Sequence, residues 1–489
     1  MKRAAVAMVL GLLAAHCAGG SGDSAPAPVG KRADDGGLNQ ANQDGAAPNE
    51  KDAACAGHDA TDDPDDDGLD TNCDGADGIV GKDIYLSTIA GADTNAATPT
   101  APLRTIAAAT TLATRTHGRI LVASGQYPVE KLSTTGGWAI YGGYVPSFLG
   151  KPKRDVTVLA APPSGLFIDG VDQGSFAHLT VQSDVASDAN HRSTHGIRSR
   201  AKALVLDDVI VAAGEAMHAT AGKPGDPGDP DASQCASAPR SSWPAGASGD
   251  LGAPRAPADG TAGTAGITGS SGTARLVLKD ESVALSDDAA LGGADATRGA
   301  PGGPGGAGTL NNVQYNGATY STVDVGSGIS GVGGCPGNPG GPGQSGGAAA
   351  ALLVLDGAVH ATRSVFRTGA GGTGGDGGVG GAGGDGAFGS APNIISYPTL
   401  PLAGECKTPG DDHLGRSCAA YGGRGGTGGT GGTGGAGAGG WTLGIVTATS
   451  AVANLDPSTT FELGRPGEGG ASDHGRAPSG KSAPTFALP

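Results

Sequence analysis

The sequence predicts an all-β protein built as a right-handed parallel β-helix, and three observations carry the prediction. Short runs rich in Val, Ile and Leu recur through residues 84–212 with turn residues between them, each too short for a helix. Aromatic residues make up 4% of the chain while 94 of its 489 residues are Gly. Stacked strands of small residues accommodate that balance better than one large aromatic core. Finally, LVLD-type runs return at 204–207, 276–280 and 353–356, with 442–446 as a degenerate fourth copy, and a glycine-rich tract follows the strands each time. Regular coils carrying insertions of variable length on one side produce that pattern.

The chain opens with Lys2 and Arg3 and a 12-residue apolar stretch, 4–15. That is too short to span a bilayer and suits an export signal over residues 1–17. Cys17 sits where the signal ends and resembles the lipidated Cys of bacterial lipoproteins, although His16 and Leu13 depart from that pattern. The implied location is extracellular or at the outer cell surface, with a lipid anchor as the sole membrane link. Residues 18–54 are rich in Ala, Gly, Asp, Asn and Pro and read as a disordered tether. The net charge is −16; without Lys2 and Arg3 it becomes 29 − 47 = −18. Such a surface repels nucleic acid and anionic lipid, and leaves envelope or extracellular polysaccharide or protein as the partners to expect. Six further cysteines, an even set, read as disulfides in an exported chain. Loop length favours Cys55 with Cys73 and Cys406 with Cys418, leaving Cys235 with Cys335, among several possible connectivities.

Residues 55–82 hold an acidic, Cys-bounded motif. Asp63, Asp65 and Asp67 alternate and Gly68 follows, as in the first half of an EF-hand calcium loop. Leu69 would offer its carbonyl, Thr71 position 9, and Asp74 would replace the usual closing Glu. No helical flanks are present, so two readings stand: a weak calcium loop, with calcium as the one cofactor, or a solvated acidic linker pinned by a disulfide.

Residues 83–214 form the first body region. IYLST at 84–88 has strand composition, and Leu103, Ile106, Ala109 and Leu112 or Ala113 recur at helical spacing over 103–116. RILVASGQYPV and WAIYGGYVP return as strands, followed by runs at 156–160, 165–169, 178–183 and 203–212. This order of strand, GxDxN loop, P-x-x-TI-x-x-A helix and V-x-x-G-x-Y strand resembles the start of pectin-lyase-like β-helix domains of unknown function in secreted bacterial proteins, some of which carry a DSNCDGIDG-type acidic motif ahead of the coils. The resemblance covers about 60 residues and implies fold more than chemistry. In that family the helix caps the first coil, whose backbone groups would otherwise stay unpaired.

Residues 215–480 continue the coils with glycine-rich insertions, and 481–489 read as a tail. Between Gly369 and Gly389, 13 of 21 residues are Gly, and 425–435 reads GGTGGTGGTGG. The interruptions exclude collagen. Two readings remain, flexible solvated loops or polyglycine-II-like helices hydrogen-bonded to one another, which close approach between Cβ-free residues permits. The tracts resemble those of PE-PGRS-type surface proteins.

No catalytic constellation emerges. GxSxG, HExxH and Walker motifs are missing, as are the NTD, GHG and RIK elements of polygalacturonase-like hydrolases. Asp207 and Asp208 are adjacent on a strand, so alternation leaves at most one for a groove. HGIRS at 195–199 reads as a solvated turn. His58, His191 and His195 lack metal-ligand spacing. The function classes that remain are a non-enzymatic structural or adhesive surface protein, and a polysaccharide-active enzyme or carbohydrate-binding module. The second would announce itself by a groove lined with two or more carboxylates.

Overall fold

The structure, a computed structural model, describes residues 61–133, 136–150, 152–187, 192–229, 261–271, 276–279, 282–285, 308–315, 318–325, 332–388 and 426–488. Within these the chain winds through three parallel sheets. The first coil contributes β1 (Ile84–Leu86) alone, followed by α1 (Ile106–Thr116). The next three full coils are β2 (Ile120–Ala123), β3 (Gly125–Pro128), β4 (Lys131–Leu132); β5 (Gly137–Tyr144), β6 (Thr157–Ala161), β7 (Leu166–Asp169); and β8 (Gln173–Ala177), β9 (Thr180–Ser183), β10 (Thr194–Arg200). The fifth coil has β11 (Ala203–Asp207) and β12 (Ile210–Ala213). It is then interrupted by two hairpins, β13 (Leu276–Lys279) with β14 (Ser282–Leu285) and β15 (Gly308–Tyr315) with β16 (Ala318–Val325), before β17 (Ala349–Val354) closes it. The sixth is β18 (Ala358–Thr362), β19 (Val365–Thr368), β20 (Thr442–Thr447). The last is β21 (Val452–Leu455), β22 (Thr460–Glu462), a short pair β23 (Ala471–Ser472) and β24 (Gly475–Arg476), and β25 (Ser482–Ala487). The sheets therefore run β1-β2-β5-β8-β11-β18-β21, β3-β6-β9-β12-β19-β22 and β4-β7-β10-β17-β20-β25.

Alternation explains the lumen. In β11, Leu204 and Leu206 are buried while Ala203, Val205 and Asp207 are partly exposed, because successive side chains leave opposite faces. Equivalent inward positions on every coil, among them Ile140, Phe176, Ile197, Val359 and Ile445, join one continuous core. At the N-terminal end α1 adds Ile106, Ala109 and Ala113 to that core. Thr105 starts the helix by accepting a hydrogen bond from the Ala108 amide, and His117 ends it in the left-handed region at φ 56°. Beside it, Tyr85 and Ser87 donate through their amides to the carbonyls of Ala97 and Leu103, which occupies the edge of β1 that no coil covers.

Three expectations change. The LVLD runs are not equivalent: Leu204 lies on β11 in the first sheet, Leu353 on β17 in the third, and Leu276 on the antiparallel hairpin outside the coils. True partners are Leu204 with Val359 and Ile197 with Leu352. Leu352 and Val354 fill the lumen, whereas Leu353 and Leu355 are buried on the outer face beside Leu276, Trp441 and Leu443. Every strand of every coil shares a period of two, so matching letters do not fix which strand is which. Ser482–Ala487, read as tail, form β25 and pair with β20. The third change concerns the glycine tracts.

All the glycine insertions leave the same corner, between the second-sheet and third-sheet strands of the last three coils. They are hydrogen-bonded to one another throughout their described residues. Gly222, Gly225 and Gly228 donate to the carbonyls of Asp376, Val379 and Ala382; Gly375, Gly378 and Gly381 to Gln344, Gly341 and Asn338; Gly431, Gly434 and Gly437 to Gly381, Gly378 and Gly375. Donors recur every third residue, as polyglycine-II-like packing requires. The flexible-loop reading thus gives way to the packed one over these residues. Glycine is obligatory at the contacts: a Cβ on Gly380 would lie 1.8 Å from the Gly431 oxygen, and one on Gly429 2.0 Å from that of Thr264. The third residue of the triplets at Thr373, Asp376, Val379, Thr427 and Thr430 faces outward, whereas Thr433 and Ala436 are buried.

Replacing Gly429 by Val should therefore lower stability by about 1–3 kcal/mol, the usual range for forced overpacking, and Gly380→Ala should act likewise. Val379→Ser, at an outward position, should melt like the parent. Leu206→Asp should abolish cooperative melting, since it places an unpaired charge in the lumen. Thermal melts of these four proteins check all three statements.

Candidate functional site

Where the first sheet turns into the second, three successive coils place a non-glycine residue in the left-handed region: His178 (φ 53°), Asp208 (φ 52°) and Arg363 (φ 51°). Coil stacking puts them side by side, since Ala177 pairs with Asp207 and Asp207 with Thr362. Each such backbone costs roughly 1–2 kcal/mol, and charge pairing across the turns offsets it. His178 Nδ1 lies 3.1 Å from Asp208 Oδ2, Arg154 Nη1 donates to Asp208 Oδ1 at 2.9 Å, and the Arg363 guanidinium donates to both Asp207 oxygens at 3.0 and 2.8 Å. Strand alternation does not separate Asp207 from Asp208, because the left-handed turn at Asp208 interrupts it.

The acidic segment docks on this ladder. Asp66 pairs with His178 Nε2 at 2.9 Å and with the Arg363 guanidinium. Nearer the first coil, Arg119 pairs with Asp63 and with Asp83 at 2.7 Å, and donates to the Asp62 carbonyl at 2.9 Å. Ala76 joins Tyr85, Tyr144 and Phe148 in a small apolar cluster outside the first sheet. Between segment and ladder lies an open groove of about 440 Å³, lined by Asp65, Asp66, Asp67, Tyr141, His178 and Asp207. Its carboxylates are already engaged: Asp66 and Asp207 by Arg363, Asp65 by the Asp67 and Gly68 amides, Asp67 by the Leu69 amide. Burial pushes the Tyr141 hydroxyl up, so it stays protonated.

The six residues matched to an EF-hand loop do not gather around one point. Asp63 turns to Arg119, Leu69 is 53% exposed, and Asp74 Oδ2 accepts from the Val80 amide at 2.7 Å. Among the described residues no three His, Cys, Asp or Glu side chains are arranged to hold a metal. The buried acids are others. Asp62 is 3% exposed and Asp77 fully buried. Asp62 Oδ1 accepts from Thr71 Oγ1 at 2.8 Å, and Asp77 Oδ2 from the Tyr144 hydroxyl at 2.6 Å. Their second oxygens, Asp62 Oδ2 and Asp77 Oδ1, are buried without a hydrogen-bond partner. Burial raises both carboxyls, and Asp77 reaches about 7 despite the opposing Tyr144 hydrogen bond. Sequence spacing missed Asp62 and Asp77 because an acidic run looks solvated throughout; Ala76 and the following glycine were the one hint that the chain turns inward there.

Cys73 and Cys335 are each disulfide-bonded, so neither is a free thiol. Cys17, Cys55, Cys235, Cys406 and Cys418 lie outside the described residues, as do His58 and His191. His195 is not on a solvated turn: it sits within β10, fully buried between β7 and β17, and burial lowers it to about 3, so it is neutral. No family model, curated protein or solved structure matches this chain.

Two outcomes follow. In metal-free buffer the raised Asp77 carboxyl binds a proton in the folded state that the unfolded chain releases near the ordinary carboxyl value of 3.8. Its stabilising contribution is therefore full below that value and is lost as the pH rises through about 7. Melting curves from pH 4 to 8 should show that decline, and Asp77→Asn should flatten it. Arg363→Met should change global stability by less than about 1 kcal/mol, because its pairs are half exposed. It should nevertheless speed proteolytic cleavage within residues 61–72, since Asp66 loses one of its two holds.

Proposed function

We propose that this chain is an exported, non-enzymatic structural or adhesive surface protein, in which a right-handed, pectin-lyase-like coil stack holds out a glycine-rich slab. The observation that carries this reading is the slab itself: tracts from three coils, hydrogen-bonded edge to edge, with Thr373, Asp376 and Val379 among the residues on its outside. Ordering a residue costs roughly 1–2 kcal/mol and a backbone hydrogen bond returns roughly 1 kcal/mol net. An isolated tract would not fold; rigid coils that fix both its ends favour order. A fold that orders so much backbone while holding polar and charged side chains such as Lys223, Gln344 and Asp376 outside suits a stiff contact surface for envelope or extracellular polysaccharide or protein. On this reading residues 1–17 direct export, Cys17 carries a lipid, residues 18–54 span the distance to the body, and the cysteines pair as Cys55–Cys73, Cys235–Cys335 and Cys406–Cys418.

A polysaccharide-active role has one observation in its favour, the carboxylate-lined groove. Glycoside hydrolysis needs two carboxyl groups free to act on the bond between them. Here Asp66 and Asp207 share one guanidinium, which supports a latch rather than an acid–base pair.

The test is labelling of intact cells that produce the protein. Val379→Cys should react with a membrane-impermeant maleimide on whole cells, and protease added outside should remove the labelled body. A protein labelled only after lysis overturns the surface reading. Release of reducing or unsaturated ends from an acidic polysaccharide, lost in Asp207→Asn, would establish the enzymatic one.

A further inference from the structure

We propose that the acidic segment is a calcium site anchored by the buried carboxylates of Asp62 and Asp77 rather than by the exposed DxDxDG aspartates. The inference goes beyond the display role and stands independently of it.

The two carboxylates share an unusual state. Each gives one oxygen to an uncharged hydroxyl, Thr71 for Asp62 and Tyr144 for Asp77; the Thr71 and Gly78 amides lie nearby, and the second oxygen is buried with no hydrogen bond of ordinary geometry. A buried acceptor left unpaired is costly, and a carboxylate oxygen more so. Both lie in one short loop with Asp70 and Asp74, whose charges act on Asp62, and with Asp65, whose charge acts on Asp77 alongside that of Asp62 itself. Basic side chains engage other acids: Arg119 pairs with Asp63 and Asp83, and Arg363 and His178 hold Asp66. Among the described residues Asp62, Asp65, Asp70, Asp74 and Asp77 have no ion-pair partner, so a surplus of negative charge surrounds two vacant, inward oxygens.

A hard divalent cation answers both demands. Calcium takes six to eight oxygens in flexible geometry and accepts carbonyls, amides and water beside carboxylates. Two carboxylates with neutral oxygens of the same loop can therefore hold it without a third acid at the centre. Magnesium demands near-ideal octahedral geometry and keeps its water, and zinc prefers nitrogen and sulfur. The loop is already shaped from behind. Asp70 accepts from the Asp74 and Gly75 amides, Asn72 Nδ2 donates to the Gly78 carbonyl, and the Asp77 amide donates to the Phe148 carbonyl.

The experiment uses the full oxidised chain, stripped with chelator and titrated with terbium under tyrosine excitation, then with calcium as competitor. Tyr144 touches Asp77, so bound terbium should emit through it, and calcium should quench the emission and raise the melting temperature. Asp62→Asn and Asp77→Asn should each weaken binding by about tenfold or more, whereas Asp67→Asn should change it less than about threefold, the reverse of an EF-hand loop. Asp62→Asn disturbs no aromatic contact and keeps the test decisive if Asp77→Asn fails to fold. No tyrosine-sensitised emission, with melting unmoved by millimolar calcium, overturns the proposal. So does binding that survives Asp62→Asn and is abolished by Asp67→Asn.

Discussion

Backbone hydrogen bonding between successive coils sets the spacing on which every other feature depends. Parallel strands lie about 4.8 Å apart, and a segment leaving the same corner of adjacent coils inherits that separation. The insertions after β12, β19 and β22 all do so, and their chains therefore meet at backbone contact distance. At that distance a Cβ on Gly377 would sit 1.8 Å from the Gly434 oxygen. The glycine content is thus a consequence of the coil pitch, and side chains survive where no neighbouring backbone closes in, as at outward Thr373, Asp376 and Val379.

The same pitch accounts for the charged ladder. One turn conformation repeated on three coils stacks whatever residue occupies it, and here the residues are His, Asp and Arg rather than a single repeated type. Individually, half-exposed ion pairs contribute little. Joined through Arg154, Asp207 and Asp66 they form a network that ties a peripheral segment to the fourth, fifth and sixth coils at once. Position along the stack is therefore specified twice, by strand pairing in the body and by charge pairing at the corner.

How far the sequence was legible follows from which forces leave a pattern. Strands such as β6, β7 and β11 and the helix α1 were readable because burial on one face imprints a period of two or 3.6 on the residues. Strand equivalence was not: Leu204 and Leu353 share letters but not sheets, since any strand facing the lumen shows the same alternation. β17 hides further, being buried on both faces, lumen within and Trp441 and Leu276 without. The glycine tracts announced their period of three but not their order, which depends on neighbours far along the chain. In the acidic segment, the motif spacing pointed to Asp63, Asp65 and Asp67, while burial selected Asp62 and Asp77. At Asp77 burial comes with Tyr85, Tyr144 and Phe148, residues that no local pattern connects to it.

The two specialised regions use opposite means to the same end. The slab excludes side chains from its contacts and satisfies backbone groups by direct mutual hydrogen bonds, so charged residues such as Lys223, Asp226 and Asp376 stay on its outside. The acidic segment concentrates charge, and turns only part of it against basic residues on the coils. A β-helix tolerates both because its stability is distributed along the stack, each coil resting on its neighbours. Strain at a left-handed turn or an uncompensated carboxylate at the capped end is then a local cost, borne by coils whose lumen packing is independent of it. That separation lets a single scaffold carry a rigid glycine-rich surface at one corner and a charge-paired acidic segment at another.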